Sequence, residues 1–243
     1  MPKAKKIEMV GRTIAIGDTH GCSTALDALI TAIAPQPEDT IVTLGDYVDR
    51  GIDSKGVLDL LIELAGRCHL VPILGNHDEM MLHARDGRTD LQFWLNCGGD
   101  AALDSYSSVG SLNHVPAEHF RFLKRCVSFF ETDTHFFVHA NYKPDLPLDK
   151  QDDPTLRWLS LRDSVPGPHC SGKIAVVGHT PQPDVLNLGH LICIDTNCCD
   201  GGWLTALDVV SGQKWQADER GCLRPNVVIR TGPNSNCGIA GSS

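Results

Sequence analysis

Thr40-Ile41-Val42-Thr43-Leu44-Gly45-Asp46-Tyr47-Val48-Asp49-Arg50-Gly51 is the stretch that decides how the chain is read. Its first five residues are apolar or β-branched and read as a buried strand. Gly45 and Gly51 let the backbone turn sharply and approach a ligand closely. Between them stand two carboxylates three residues apart and a guanidinium. That set can hold a metal, orient a neighbouring side chain and grip an oxyanion at one strand end. A Gly-Asp turn followed by an Asp-Arg pair is equally an ordinary loop, so the neighbours must choose between the two readings.

On the amino-terminal side, Thr13-Ile14-Ala15-Ile16 reads as a short buried strand ending in Gly17-Asp18-Thr19-His20-Gly21. Ser23 is placed to cap a helix through Leu26, Leu29, Ile30 and Ile33, which Pro35 and Pro37 stop. On the other side, Val57, Leu58, Leu61, Ile62 and Leu64 predict a second helix. His69-Leu70-Val71-Pro72-Ile73-Leu74 then predicts a third strand, ending in Gly75-Asn76-His77-Asp78. Asp18 and Asp46 are 28 residues apart, and Asp46 and Asn76 are 30. These are strand-helix-strand lengths, so the three motifs should leave one edge of a parallel sheet. Ligands of open α/β sheets bind there, beyond the carboxyl ends of the strands.

From Glu79 to Arg125 the pattern is mainly helical and lies outside the repeating units, which predicts a helical insertion beside the site over about 79–125. His83, His114 and His119 fall within it without metal-like spacing and read as surface or satisfied histidines. Trp94, Phe120 and Phe122 read as packing residues. The second half is strand-like at 128–131, 134–139, 174–177, 191–194 and 203–207, with a short helix expected between Thr155 and Leu161. That composition fits a second sheet packed on the first. Two of these strands finish in histidine, Val138-His139-Ala140-Asn141 and Val177-Gly178-His179-Thr180-Pro181. The expectation is one domain over 1–243, with its core at about 12–217 and a loose Gly/Ser-rich tail at about 231–243.

Composition excludes several classes. With a formal net charge of −9, the chain lacks the basic surface that bulk nucleic-acid binding requires. An anionic substrate stays possible, because bound divalent ions reverse the local sign. No apolar run reaches the ~18 residues of a membrane span, and the basic Met1–Lys6 cluster precedes no apolar signal core. Ten cysteines without an export signal or a Cys-x-x-Cys pair point to a reducing, cytoplasmic setting and to small core thiols, not to disulfides or a zinc site.

Taken in order, Gly-Asp-x-His-Gly, Gly-Asp-x-Val-Asp-Arg-Gly, Gly-Asn-His-Asp, a lone strand-end His and Gly-His-Thr resemble the phosphoprotein phosphatase family of calcineurin-like metallophosphoesterases. The resemblance runs from about Thr13 to Trp215. Asp49-Arg50-Gly51 is its most specific part, and the stretch from Asn96 to Tyr106 looks like the bacterial serine/threonine branch. It implies an αββα sandwich of two mixed sheets. It also implies two divalent ions, Mn(II) first and Fe or Zn as alternatives, held by Asp18, His20, Asp46, Asn76, His139 and His179, with Asp46 bridging. Oxygen and imidazole donors without thiolates suit those metals.

The same resemblance makes His77 the general acid and Asp49 its orienting partner. Arg50, Asn76 and a second arginine would bind the substrate phosphate; Arg162 is preferred over Arg157 for the last of these. Asp195 is as fit for a structural role as for a catalytic one. The implied reaction is hydrolysis of phosphoserine or phosphothreonine on proteins, or of small phosphomonoesters, by direct attack of a dimetal-bound hydroxide. The nearest rival is a symmetrical diadenosine tetraphosphatase, whose relatives usually carry Gln where this chain has His20. A non-catalytic phospho-binding scaffold is a third reading, against which every ligand position, His77, Asp49 and Arg50 are present. A cysteine-nucleophile phosphatase is excluded, since no cysteine has an arginine six residues on.

Overall fold

Short β-branched runs alternate with amphipathic helices over the first third of the chain, and the backbone follows them. In chain order these are β1 (Thr13–Ile16), α1 (Ser23–Ile33), β2 (Thr40–Thr43), α2 (Ser54–Leu64) and β3 (His69–Pro72). The computed structural model describes residues 11–225, so the Met1–Lys6 cluster and the tail expected at 231–243 lie outside the described residues. The strands pair in parallel in the order β1-β2-β3, with Ile14 beside Ile41 and Ile41 beside Leu70. The three glycine-bounded motifs therefore leave the same edge, as their spacing predicts.

Next come α3 (Asn76–Arg85), α4 (Leu91–Trp94), a turn at Leu95–Gly99 kinked at Gly98, α5 (Asp100–Ser105) and α6 (Ala117–Leu123), the expected helical insertion. They lead to β4 (Phe129–Glu131), β5 (His135–Val138), α7 (Asp153–Trp158), β6 (Ile174–Val177), β7 (Leu186–Asn187), β8 (Leu191–Cys193), β9 (Asp195–Thr196), β10 (Trp203–Asp208) and β11 (Lys214–Ala217). The first sheet runs β11-β10-β1-β2-β3, with β9 on β10, and the second runs β4-β5-β6-β8-β7. Both mix parallel and antiparallel pairs: the chain returns from the second sheet to add β10 antiparallel to β1, and β4 and β7 flank the parallel β5-β6-β8 core of the second sheet in antiparallel.

Period-two alternation divides the core between layers. Ala15, Val42, Leu44 and Val71 of the first sheet meet Phe137, Val176 and Ile194 between the sheets. Ile14, Ile16 and Ile41 point the other way, onto Leu26 and Leu29 of α1 and Leu58 and Leu61 of α2. Each such side chain contributes about 1.5–3 kcal/mol by leaving water. The outer face of the second sheet has a thinner cover, with Phe136, Val138 and Val177 lying under Leu156 of α7 and the loop residues Tyr142, Leu148 and Leu161. The sandwich is thus αββα with unequal outer layers.

Some local expectations are corrected. Ser23 does not cap α1: its hydroxyl donates to Asp53 Oδ2 at 2.6 Å, and Cys22 takes the cap position without a side-chain bond. Asp53 caps α2 through Gly56 N at 2.8 Å, so one carboxylate ties both helix starts together. Of the nine described cysteines, all free thiols, Cys22, Cys193 and Cys198 are buried and Cys68, Cys97, Cys126 and Cys199 pack against the core, while Cys170 and Cys222 are exposed. His119 is a satisfied histidine, held between the Tyr106 hydroxyl at 2.7 Å and Asp59 Oδ1 at 2.9 Å. Among the described residues no helix is long and apolar enough to cross a membrane.

Candidate active site

The loops after β1, β2 and β3 converge, and the loops after β5 and β6 meet them from the second sheet. Backbone strain collects here. Of the eight described non-glycine residues with positive φ, five are His20, Asp46, Asp49, Arg50 and His179. A left-handed non-glycine residue costs roughly 1–2 kcal/mol, so the surrounding bonds must over-determine these turns. Asp78 does part of this. Its buried carboxylate accepts from Asp46 N at 2.8 Å, Tyr47 N at 3.0 Å and Gly75 N at 3.0 Å, locking the second motif to the third.

Asp46 lies at the centre, 2% exposed. Its Oδ2 is 3.3 Å from His20 Nε2, and its Oδ1 is 3.5 Å from His139 Nε2 and accepts from His77 N at 3.0 Å. One carboxylate is therefore shared between two clusters. Donor atoms of His20, Asp46 and His77 lie within 4.8 Å of one another, as do those of Asp46, His139 and His179. Burial raises the Asp46 carboxyl, but the facing His139, His77 and His20 rings outweigh it and hold the group well below the usual carboxylate range.

The imidazole tautomers follow from their main-chain partners. His20 Nδ1 is 2.9 Å from Val48 O, His139 Nδ1 is 2.7 Å from Leu44 O, and His179 Nε2 is 3.2 Å from Trp158 O. A carbonyl only accepts, so each ring donates with that nitrogen and turns its other lone pair inward. His139 Nε2 and His179 Nδ1 then face Asn76 Oδ1 at 3.0 and 2.9 Å. Protonation does not supply the missing donor at neutral pH, since burial pushes His139 down to about 4 and His179 downward as well. Lone pairs converging on one point are what a cation satisfies.

Asp18 carries the same sign. Its Oδ2 accepts from His179 N at 2.9 Å, while its buried Oδ1 has no hydrogen-bond partner. Burial, with Asp195 and Asp46 nearby, raises this carboxyl well above its ordinary value. A Cβ at Gly178 would lie 2.0 Å from Asp18 Oδ1, so only glycine fits there. The residues present fit a pair of divalent ions. Asp18, His20 and Asp46 could hold one, and Asp46, Asn76, His139 and His179 the other.

His77 differs from these rings. Its Nδ1 is 2.8 Å from Asp49 Oδ2, a side-chain carboxylate and not a main-chain carbonyl. Trp94 Nε1 donates to the same carboxylate, at 2.9 Å to Oδ2 and 3.1 Å to Oδ1. Arg50 caps the arrangement, with Nη2 2.9 Å from His77 Nε2 and Nη1 3.1 Å from His20 Nε2. Burial pushes His77 down to about 4 despite Asp46, so the ring is neutral at pH 7 and its Nε2 accepts from Arg50. Arg50 is an exposed residue, so an anion can reach its guanidinium from solvent.

The two other arginines separate. Arg157 is 6% exposed, and its guanidinium is committed to Glu79 at 2.6 Å, Asp153 at 2.8 Å and Ser128 at 3.0 Å. It is a strut between α7 and α3. Arg162 is exposed, on a segment anchored where Leu161 N donates to Thr180 Oγ1 at 2.9 Å, one residue past His179. Asp195 is buried 4% exposed and spends Oδ1 on Asn197 N at 3.0 Å, a turn-fixing bond. Sequence reasoning gave no role to Asp78, although it stands in a quoted motif, and took Trp94 for packing alone.

Comparison with known proteins agrees with this geometry. The calcineurin-like phosphoesterase family matches residues 11–223. The chain is similar to serine/threonine-protein phosphatase 1 of Salmonella typhimurium, 29% identical over 203 residues, covering 78% of this chain and 88% of that protein. It is also similar to a symmetrical bis(5'-nucleosyl)-tetraphosphatase of a Janthinobacterium species, 35% identical over 144 residues, 54% of this chain but only 44% of that protein. An asymmetrical bis(5'-nucleosyl)-tetraphosphatase of Oceanobacillus iheyensis is 26% identical, covering 79% of this chain and 86% of its own length. Among solved structures, a cold-active protein tyrosine phosphatase superposes with a TM-score of 0.64 at 18% identity, over 88% of this chain and 78% of its own. That last likeness speaks to the fold alone.

Proposed function

This chain belongs to the calcineurin-like phosphoesterase family of metal-dependent phosphoester hydrolases, and on that premise we propose that it hydrolyses phosphomonoesters, with phosphoserine and phosphothreonine in proteins as its main substrates. The observation that carries the proposal is the division of one carboxylate, Asp46, between two donor clusters, with Arg50 and His77 side by side over the first of them. The ions assigned to the two clusters are Mn(II), with Fe or Zn as alternatives, given a donor set of carboxylate, amide and imidazole without thiolate. When bound, two such ions lower the pKa of a water and neutralise phosphate oxygens.

The chain's own residues do the rest. Arg50 presents a planar fork that matches two phosphate oxygens at once. Arg162 is the second phosphate-binding arginine, because the alternative, Arg157, is spent on Glu79, Asp153 and Ser128. Asn76 takes a share of the phosphate as well as of the second ion. His77 keeps its Nδ1–H on Asp49 and offers Nε2 to the leaving oxygen. A dianionic phosphate beside it draws a proton onto Nε2, against the burial that otherwise holds the ring neutral. Proton delivery of this kind is worth about 10²–10⁴-fold.

The rival is dinucleoside tetraphosphate hydrolysis, favoured by the tetraphosphatase that matches along most of its length. The monoester reading rests on His20 in the first motif and on a phosphatase relative matched over 88% of its length, where the symmetrical tetraphosphatase is matched over 44%. The test is a substrate panel on metal-stripped protein with each ion restored in turn, comparing phosphoseryl, phosphothreonyl and phosphotyrosyl peptides with diadenosine tetraphosphate. Phosphoseryl and phosphothreonyl peptides should exceed the dinucleotide by at least about tenfold in kcat/KM, a difference of ~1.4 kcal/mol. A preference in the other direction overturns the proposal.

A further inference from the structure

Asp49 has no exposure to solvent, and the residue that donates to its outer side comes from the helical insertion. Trp94, also fully buried, is the last residue of α4, and its indole N–H points at both oxygens of Asp49 from 45 positions away in the chain. The glycine-kinked turn that follows makes a second contact with the same strained pair: Gly98 O accepts from Arg50 N at 3.0 Å. Asp49 and Arg50 have φ of 72° and 66°, two successive left-handed residues that are not glycine.

The turn is shaped for both contacts. Gly98 has φ 105°, and a Cβ there would lie 3.0 Å from Arg50 N. A Cβ at Gly99 would lie 2.4 Å from the Trp94 indole. The glycine pair thus seats the ring and lets the carbonyl reach. A tryptophan that served only to fill the core needs no N–H aimed at a carboxylate, and its hydrogen bond would go to any nearby acceptor.

We infer that Trp94 is a positioning residue for proton delivery: its indole N–H fixes the Asp49 carboxylate, which in turn fixes the ring of His77, while Gly98 holds Arg50 in register. The inference rests on the assignment of His77 as the acid. Trp94→Phe keeps an aromatic ring in the core and removes the donor, at the cost of a small cavity. Outer partners of this kind typically carry about 10–100-fold, and the loss should fall on kcat, with KM and bound metal unchanged.

Leaving-group dependence separates this role from a structural one. Acid assistance matters most for poor leaving groups, so Trp94→Phe should lose about 10–100-fold with phenyl phosphate and much less with 2,4-dinitrophenyl phosphate. His77→Asn should show the same selectivity more strongly, and Asp49→Asn with Trp94→Phe should be little worse than Asp49→Asn alone. If His77→Asn loses activity equally on both esters, the acid assignment fails. If His77→Asn is selective and Trp94→Phe is not, or if the double variant is fully additive, the inference about Trp94 fails. Should Trp94→Phe not fold, the indole N–H resonance of Trp94 decides the contact: it should shift clearly in the Asp49→Asn protein, and an unmoved resonance overturns the inference.

Discussion

The two sheets feed the site unequally. The first supplies Asp18, His20, Asp46, Asp49, Arg50, Asn76 and His77 from the three consecutive loops after β1, β2 and β3. The second supplies His139 after β5 and His179 after β6, two imidazoles whose outer nitrogens bond to Leu44 O and Trp158 O. On the proposed reading the first sheet carries the shared carboxylate, the acid and the anion grip; the second completes one cluster. Substitutions in the two regions should therefore fail differently, and measured metal content separates the outcomes.

The largest effect is expected at the shared residue. Asp46→Asn should remove both ions and lower turnover by about 10³-fold or more; retention of two ions by elemental analysis would break the picture of a common bridge. His77→Asn is expected to lower turnover by about 10²–10⁴-fold with both ions still bound, since His77 is held by Asp49 and not by the cluster that Asp46 shares with His139. A second-sheet substitution, His139→Asn, should release about half of the metal and keep the rest, and loss of all metal would mean that the two clusters are not separable.

The smallest effect lies far from the chemistry, at the opposite edge of the first sheet. Asp39 accepts from Arg12 N at 2.8 Å, Arg12 Nε at 3.1 Å, Arg12 Nη2 at 2.5 Å and Gln36 N at 2.8 Å. Burial pushes this carboxyl up, but the Arg12 side chain and the two amides outweigh it and hold its pKa below the ordinary value. A depressed folded value contributes stability that is present above the unfolded pKa of about 3.9 and is lost as pH falls through the folded one. Asp39→Asn should cost ~1–3 kcal/mol at pH 7 and progressively less below pH ~4, with activity per folded molecule unchanged. Urea unfolding at pH 7 and pH 3 reads this directly, and an equal cost at both pH values would contradict the charged role.

The same inequality explains what could be read from the chain. Each first-sheet motif is contiguous and follows a β-branched run, so strand, turn and ligands were legible together at Asp18, Asp46 and Asn76. His139 and His179 were legible as strand ends, because a histidine after an apolar run is conspicuous. The two-residue strands β7 and β9 were not, since two residues carry no periodicity, and β11, with Lys214 and Gln216, lacks an apolar run. Asp78 and Trp94 escaped for another reason. Their partners lie 31–32 and 45 residues away, and a buried carboxylate on backbone amides looks in sequence like any loop acid. Arg157 is tied to Glu79, 78 residues earlier, a contact that no local pattern encodes.

The main-chain acceptors bear on how the centre tolerates change. Leu44, Val48 and Trp158 contribute only their carbonyl oxygens to orienting His139, His20 and His179. No side-chain replacement at those three positions deletes such an oxygen. The imidazoles are thus aimed by the path of the backbone itself, and side-chain substitutions at those three positions leave the aiming oxygens in place.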